Sequence, residues 1–178
     1  MKIQIPEYIQ VLIDLLNQNH YNAYVVGGAI RNTLLGLPIH DYDLTTDATP
    51  DEMLQVFSSY RLFKTGIQHG TITVLSNGQP VEITTFRSEN TYEDHRHPST
   101  VSFSNNIEED CKRRDFTINA LCYNKSEGLI DFFGGIEDLQ HKIIRCIGNP
   151  HERIDEDALR ILRALRFAGR LSFTIEEN

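Results

Sequence analysis

Residues 71–87 constrain the fold more than any other part of the chain. The alternating apolar residues of TITVL and PVEITTF flank Asn77 and Gly78, a pair that favours a two-residue hairpin turn. Apolar residues at helical spacing precede this hairpin at 7–20, and helical patterns follow it at 106–114 and 151–170. Because an antiparallel hairpin is combined with helices on both sides, the sequence predicts an α/β or α+β fold.

The bulk composition limits the class of protein. The chain has 178 residues, which suits one domain or one domain plus a fragment of another. No apolar run reaches the ~20 residues needed to span a bilayer, and the N-terminus lacks the layout of a signal peptide. Three scattered cysteines do not suit a disulfide framework. We therefore expect a cytoplasmic protein with reduced cysteines and no membrane partner.

The charge distribution is more informative than the total charge. A formal net charge of −8 argues mildly against a nucleic-acid partner, because phosphate binding depends on Lys and Arg. However, the basic residues are unevenly distributed, because arginines crowd the end of the chain from 145 to 170. A basic stripe on an acidic protein is still a workable phosphate site.

A glycine turn joins a predicted strand to a predicted helix. The strand AYVV is followed by Gly27 and Gly28, and then by a helical stretch that ends at Gly36. Glycines at such a turn let backbone N–H groups approach an anion at the positive end of the helix dipole, and Arg31 is near enough to share that anion. Glycine pairs before helices are more often plain tight turns, so both interpretations stay open on this motif alone.

Three carboxylates form a candidate metal site. Asp41 and Asp43 alternate in the predicted strand HDYDLTT, which places both on one face, roughly 7 Å apart. Oxygen ligands at that spacing suit Mg²⁺, although an isolated pair of this kind is more often exposed on an edge strand. Glu82 interrupts the apolar alternation of the hairpin and is equally compatible with a third acid of the site and with a solvent-facing residue.

Arginines form two further candidate sites. Arg114 ends a charged helical segment, where it is either an ordinary C-terminal cation or a clamp for a phosphate. Glu156 and Asp157 precede arginines at spacings of three, three and four residues, namely Arg160, Arg163, Arg166 and Arg170. On a helix over 151–170 these side chains would form one stripe. Charged stripes are usually solvated, but a pure arginine stripe favours bidentate recognition of phosphates and base edges.

Together these residues resemble the ordered motifs of class II CCA-adding enzymes (tRNA nucleotidyltransferases) and bacterial poly(A) polymerases. The matching stretches are GGAIR at 27–31, DYDL at 41–44, RRDFTINA at 113–120 and EDALR at 156–160. The resemblance implies an α+β, polymerase-β-like nucleotidyltransferase head over residues 1–147, and the start of a helical neck over residues 148–178. The family carries a helical body and tail beyond this point, so we expect the chain to be a fragment of a longer protein.

The resemblance also implies roles for individual residues. Asp41 and Asp43 would hold two catalytic Mg²⁺ ions, with Glu82 as a candidate third acid. The triphosphate and base would contact Gly28, Arg31, Arg114, Asp157, Arg160, Arg163 and Arg166. The implied reaction adds C and A to the tRNA 3′ end from CTP and ATP without a nucleic-acid template. Asp157 would accept from the exocyclic amine that C and A share, and Arg160 would donate to their ring nitrogen.

Three alternatives remain open on the sequence. An ATP-specific poly(A) polymerase would show nearly the same motifs, although the loop over 88–99 favours an enzyme that places A after C. A nucleotidyltransferase acting on small molecules would not need the arginine helix, and an inactive RNA-binding module would not need intact acids. The chain departs from the family's usual pattern at Asn32, where Asp is usual, and at His95, Cys111 and Ile154.

Overall fold

A computed structural model of the chain describes residues 3–89 and 101–177. The predicted mixture of strands and helices is confirmed. Its helices are α1 (Glu7–Gln18), α2 (Gly28–Leu35), α3 (Pro50–Val56), α4 (Ile107–Lys112), α5 (Gly135–His141), α6 (Pro150–Glu156) and α7 (Leu159–Leu171). Its strands are β1 (Ala23–Val26), β2 (Asp43–Thr46), β3 (Arg61–Phe63), β4 (Thr71–Ser76), β5 (Gln79–Thr85), β6 (Arg87–Glu89), β7 (Val101–Phe103), β8 (Cys122–Asn124), β9 (Gly128–Ile130), β10 (Ile143–Ile144) and β11 (Thr174–Ile175).

Seven strands form one mixed sheet in the order β3-β4-β5-β2-β1-β8-β9. Only β2 and β5 are parallel neighbours, and the other neighbouring pairs are antiparallel. The predicted hairpin is confirmed as β4–β5. Its turn residues Asn77 and Gly78 have φ angles of 48° and 75°, the two positive values that a type I′ turn requires.

The two faces of the sheet are packed differently. One face packs against α1 and α3 around a large apolar core that includes Ile9, Leu12 and Ile83. The opposite face carries a smaller buried cluster of Tyr24, Val26, Phe86, Cys111, Ala120, Cys122 and Ile147. Beside this smaller cluster the sheet is uncovered where β1 ends and β2 begins, and polar side chains collect there.

Two helix and strand boundaries differ from the sequence predictions. β2 begins at Asp43, so Asp41 lies in the segment before the strand and not at an alternate position within it. The pattern over 151–170 is also not one helix. α6 ends at Glu156, Asp157 is extended with φ −144° and ψ 100°, and α7 starts at Leu159. The sequence pattern did not predict this break, because apolar and charged residues keep helical spacing on both sides of it.

The segment predicted as a loop over 88–99 begins within a strand. Ser88 belongs to β6, which pairs with β7, so this end of the predicted loop is a strand. The part from 90 onward, including His95 and the RHP at 96–98, lies outside the described residues.

All three cysteines are free. Cys111 and Cys122 are buried core residues whose sulfur atoms lie 3.3 Å apart, and Cys146 is half-buried. None of the helices in the described part of the chain is long and apolar enough to cross a membrane.

Candidate active site

A cleft of about 480 Å³ opens on the uncovered end of the sheet. Its lining includes eight arginines and three aspartates, so it is strongly basic although the whole chain is acidic. The glycine turn, Asp43 and the arginines of α7 all border this one space. Four of the arginines that crowd the end of the sequence therefore lie at a single site, and a volume of this size suits a small-molecule ligand.

The sheet brings two of the predicted carboxylates together. The parallel pairing of β2 with β5 aligns Asp43 with Glu82, so both side chains lie on the uncovered face about one strand spacing, ~4.8 Å, apart. Burial raises the pKa of the Asp43 carboxyl, and Glu82 and Asp41 raise it further, whereas Arg114 lowers it. The Asp43 side chain is exposed to the cleft, but the protein around it limits its hydration.

These acids do not form a complete metal site by themselves. No group of three acidic, histidine or cysteine side chains in residues 3–89 and 101–177 converges closely enough to enclose an ion. No side chain in the same ranges donates a hydrogen bond to Asp43. Crowded carboxylates without a donor fit a cation such as Mg²⁺, which takes one or two protein carboxylates and completes its shell with water and phosphate oxygens.

The glycine turn faces the same cleft. Gly27 has a φ of 74° and ends β1, and Gly28 begins α2, so the positive end of this helix opens beside Asp43. An added Cβ at Gly27 would lie 3.8 Å from the Arg114 guanidinium, so the φ angle demands glycine here more than the available space does.

Arg31 is held in a fixed orientation at the bottom of the cleft. Its side chain is buried, and its Nη1 donates to Asn119 Oδ1 at 2.5 Å. Its Nε and Nη2 donate to Asn32 Oδ1 at 3.1 and 2.9 Å, and the guanidinium lies 4.9 Å from the centre of the Phe167 ring. Burial and the nearby Arg170 lower the pKa of Arg31. Two amide oxygens fix its geometry while leaving its positive charge available to an anion.

Arg114 is positioned by a buried carboxylate. Asp110, which is fully buried, accepts from Arg114 Nη2 at 3.0 Å, from Arg113 Nε at 2.9 Å and from Thr45 Oγ1 at 3.1 Å. Burial acts to raise the pKa of Asp110, but Arg114 and Arg113 outweigh it, and the pKa lies below the usual range. Arg114 Nε is buried and has no partner among the described residues, which leaves this guanidinium with unused donor capacity beside Gly27.

The arginine row of α7 borders the same cleft as the glycine turn. Arg160 is buried, and its Nη1 donates to Glu156 Oε2 and to the Arg153 carbonyl oxygen, both at 2.7 Å. Arg163, Arg166 and Arg170 are exposed to the cleft. Asp157 borders the cleft from the break between α6 and α7, where its Oδ1 accepts from Leu159 N at 2.9 Å. All the residues predicted for nucleotide binding therefore border one cavity.

Sequence reasoning missed the residues that connect the head to α7. Asp115 Oδ1 accepts from Asn119 Nδ2 at 3.1 Å, and Asp115 Oδ2 lies 2.7 Å from Arg163 Nη2 as a close ion pair without hydrogen-bond alignment. Since Asn119 also holds Arg31, one polar chain links both walls of the cleft. Asp115 and Asn119 both fall within the RRDFTINA stretch, so the motif was visible although their contacts were not.

The cleft also has Arg87, Arg113 and Phe167 in its lining, for which no role was predicted, and Arg170, which was predicted only as part of the arginine stripe. Arg170 was visible as the last member of the arginine row. Among the large apolar residues of α7, Leu159, Leu162 and Leu165 are exposed, whereas Phe167 is buried.

Comparisons with known proteins agree with the geometry. Residues 23–145 match the family of poly(A) polymerase head domains. The CCA-adding enzyme of Enterococcus faecalis is 52% identical over 163 residues, which cover 92% of this chain and 40% of that protein. The chain thus spans well under half the length of this relative.

Solved structures resemble the chain over almost its whole length. The Bacillus stearothermophilus CCA-adding enzyme in complex with CTP matches with a TM-score of 0.87 and 39% identity, covering 97% of this chain and 42% of that one. A tRNA nucleotidyltransferase complexed with a primer tRNA and an incoming ATP analog matches with a TM-score of 0.74 and 33% identity, covering 93% and 46% of the two chains.

Proposed function

This chain belongs to the poly(A) polymerase head-domain family, within which its relatives are CCA-adding enzymes, and from that premise we propose that it is the catalytic head of an enzyme that adds C and A to the tRNA 3′ end. CTP and ATP would be its nucleotide substrates. The observation that supports this most strongly is the cleft itself. Asp43, which the strand register pairs with Glu82, borders this cleft together with the glycine turn and eight arginines.

We infer that Asp41 and Asp43 hold two Mg²⁺ ions and that Glu82 is a third acid of the same centre. The raised pKa of Asp43, caused by burial and by Glu82, supports this assignment, because a bound cation would stabilise the ionised carboxylates. When bound, the ions would activate the RNA 3′-hydroxyl and stabilise the charge that develops on pyrophosphate.

The remaining residues bind and orient the nucleotide. Gly28 and the start of α2 offer backbone N–H groups to the triphosphate, and Arg31 and Arg114 add two fixed guanidinium groups. Both guanidinium groups are already oriented by neighbouring side chains, so little conformational entropy is lost when phosphate binds. Catalysis by this chain is then mainly positioning and electrostatic stabilisation.

Base selection is assigned to Asp157 and Arg160, with Arg163 and Arg166 beside them. An ionised carboxylate only accepts and a guanidinium only donates, which suits the amine and ring nitrogen shared by cytosine and adenine. Guanine and uracil present a carbonyl and an N–H instead and would leave both groups unmatched. Glu156 and the Arg153 carbonyl fix the Arg160 guanidinium, so it cannot rotate away to accommodate a wrong base.

A cytoplasmic location is part of the proposal. All three cysteines are free, including the pair of sulfur atoms 3.3 Å apart, which fits a reducing compartment.

The test has a binding step and a transfer step. Calorimetry with Mg²⁺ should show binding of CTP and ATP, and roughly 100-fold weaker binding of GTP and UTP. Incubation with a tRNA that lacks CCA should give addition of C from CTP and of A only after C, and Asp41→Ala should abolish both additions. Undiminished addition by Asp41→Ala would refute the metal assignment, and addition of A alone would favour a poly(A) polymerase.

A further inference from the structure

We propose that the uncovered sheet face beyond Glu82 binds the single-stranded 3′ end of the acceptor RNA, and that Phe63 stacks on a base upstream of the terminal nucleotide. This inference rests on the proposed function and assigns a surface of the chain to the second substrate. It depends on strand register, on the direction of attack and on an exposed aromatic ring.

A single row of side chains crosses the sheet away from the glycine turn. Strand pairing aligns Asp43 with Glu82, Glu82 with Thr73, and Thr73 with Phe63. Residues paired directly across strands project from the same face, and the exposure of these residues agrees, since the intervening Val74 and Ile83 are buried on the opposite face. The row therefore runs from the catalytic acids to the edge strand β3.

The chemistry fixes which side of the acids the RNA must occupy. The residues proposed to bind the triphosphate are Gly28, Arg31 and Arg114. They lie on the β1 side of Asp43, because β1 pairs with β2 on the side opposite β5. In an in-line displacement the attacking hydroxyl approaches opposite the leaving pyrophosphate. The hydroxyl must then come from the β5 side, where Glu82 is the first carboxylate it meets.

A second cavity lies on that side. Its volume is about 460 Å³, and it is lined by Thr65, Gly66, His69, Thr71, Thr73, Glu82 and Arg87. Arg87 borders both this cavity and the catalytic cleft, so the two spaces adjoin. Hydroxyl, imidazole and guanidinium groups suit a ribose and its phosphate, and the volume is sufficient for one nucleotide.

Phe63 provides a stacking platform beyond this cavity. Its side chain is 40% exposed, and the Arg61 guanidinium lies 5.3 Å from the centre of its ring. Three strand spacings separate it from Asp43, roughly 14 Å. This exceeds one stacked base step of ~3.4 Å, so the base on Phe63 belongs to a nucleotide upstream of the reacting end. Exposed aromatic rings next to cationic side chains bind single-stranded RNA by stacking, without a sequence requirement.

The experiment measures binding of a fluorescein-labelled RNA pentanucleotide ending in 3′ CC, with Mg²⁺, by fluorescence anisotropy. Wild type is compared with Phe63→Ala, with Phe63→Trp as the conservative variant and with Phe132→Ala as the control, since Phe132 is also 40% exposed but follows β9 at the opposite edge of the sheet. We expect Phe63→Ala to weaken RNA binding at least about fivefold, the lower end of the loss of one stacked base. Phe63→Trp and Phe132→Ala should stay within twofold of wild type, and all variants should bind CTP equally.

Each other outcome overturns the inference. RNA binding that is equal in Phe63→Ala and Phe132→Ala would show that the ring does not contact the RNA. Wild-type protein that binds CTP but not the pentanucleotide would refute the RNA surface alone, whereas protein that binds neither CTP nor ATP would refute the proposed function as well. A wild-type dimer that Phe63→Ala dissociates, with RNA binding unchanged, would assign the surface to self-association.

Discussion

Two carboxylates on the same face of the sheet have opposite environments. Asp110 contacts β2 through Thr45 and is surrounded by Arg113 and Arg114, so its pKa lies below the usual range. Asp43, at the start of the same strand, lies next to Glu82, and its pKa is raised by burial and by that neighbour. The first carboxylate is neutralised by neighbouring arginines, whereas the second lies beside another acid.

This contrast separates a structural charge from a functional one. A buried carboxylate with built-in guanidinium partners orders the chain around it, and here it also fixes Arg114 at the cleft. A carboxylate crowded by like charge is unfavourable in the empty protein and becomes favourable when a cation binds. Sequence motifs alone could not distinguish these cases, since both aspartates belong to stretches rich in charge.

The largest expected effect concerns the neutralised carboxylate. Asp110→Asn leaves Arg113 and Arg114 without their buried counter-charge, so the free energy of unfolding should fall by about 3–5 kcal/mol. Chemical denaturation measures this, with the exposed Glu108→Gln on the same helix as the control. Because the pKa of Asp110 is lowered in the folded protein, its stabilisation is present above the unfolded pKa of about 3.9. It should be lost as the pH falls through the lowered value.

If Asp110→Asn is no less stable than the Glu108→Gln control at pH 7, the buried cluster is not structural and the comparison fails. If Asp110→Asn is less stable than wild type by the same amount at pH 3 and at pH 7, the loss of stability is steric and not electrostatic.

An intermediate effect is expected at Asn32, where the family usually has Asp. The Asn32 amide accepts from Arg31 through Oδ1 and donates from Nδ2 to the Pro38 carbonyl oxygen at 2.8 Å. Asn32→Asp would neutralise part of the Arg31 charge and place a carboxylate oxygen against that carbonyl. We expect the Kd for CTP to rise by about 2- to 10-fold, the effect of roughly 0.4–1.4 kcal/mol.

Calorimetry with wild type and Asn32→Asp checks this prediction. Unchanged or tighter CTP binding would show that the free charge of Arg31 is unimportant for nucleotide affinity. Asn32→Ser, which keeps a neutral acceptor, separates the effect of charge from the effect of a shorter side chain.

The smallest effect concerns the crowded carboxylate. In EDTA at pH 7, Asp43→Asn should stabilise the protein slightly, by about 0.5 kcal/mol after allowance for solvent screening. The pKa of Asp43 is raised in the folded protein, so ionised Asp43 disfavours folding above that pKa. The gain should vanish as the pH falls below about 4, where the wild-type carboxyl is protonated. Thermal melts against pH measure it, and Asp14→Asn at an exposed position of α1 should show no such gain.

Much of the fold could be predicted from local signals. The Asn77-Gly78 turn and the Gly36 end of α2 depend on residues close together in the chain, and the structure shows both. The short strands β3 and β9 were missed because three residues give too little alternation to recognise.

The site was predictable as a set of residues but not as an arrangement. The side of the sheet that Glu82 faces depends on the pairing of β5 with β2, and no local pattern reports that pairing. The break at Asp157 was missed because helical spacing continues on both sides of it. The link from Arg31 through Asn119 and Asp115 to α7 is a long-range contact that the sequence does not encode locally.

The most direct test of the central claim is the Mg²⁺ dependence of CTP binding in wild type and in Asp43→Asn, measured by calorimetry. If the crowded acids hold the cations, Mg²⁺ should strengthen CTP binding to wild type by at least about tenfold, or 1.4 kcal/mol, and should have little effect on the variant. An equal Mg²⁺ response in the two proteins would mean that the cations are not held by these carboxylates, and would contradict the assignment of the site.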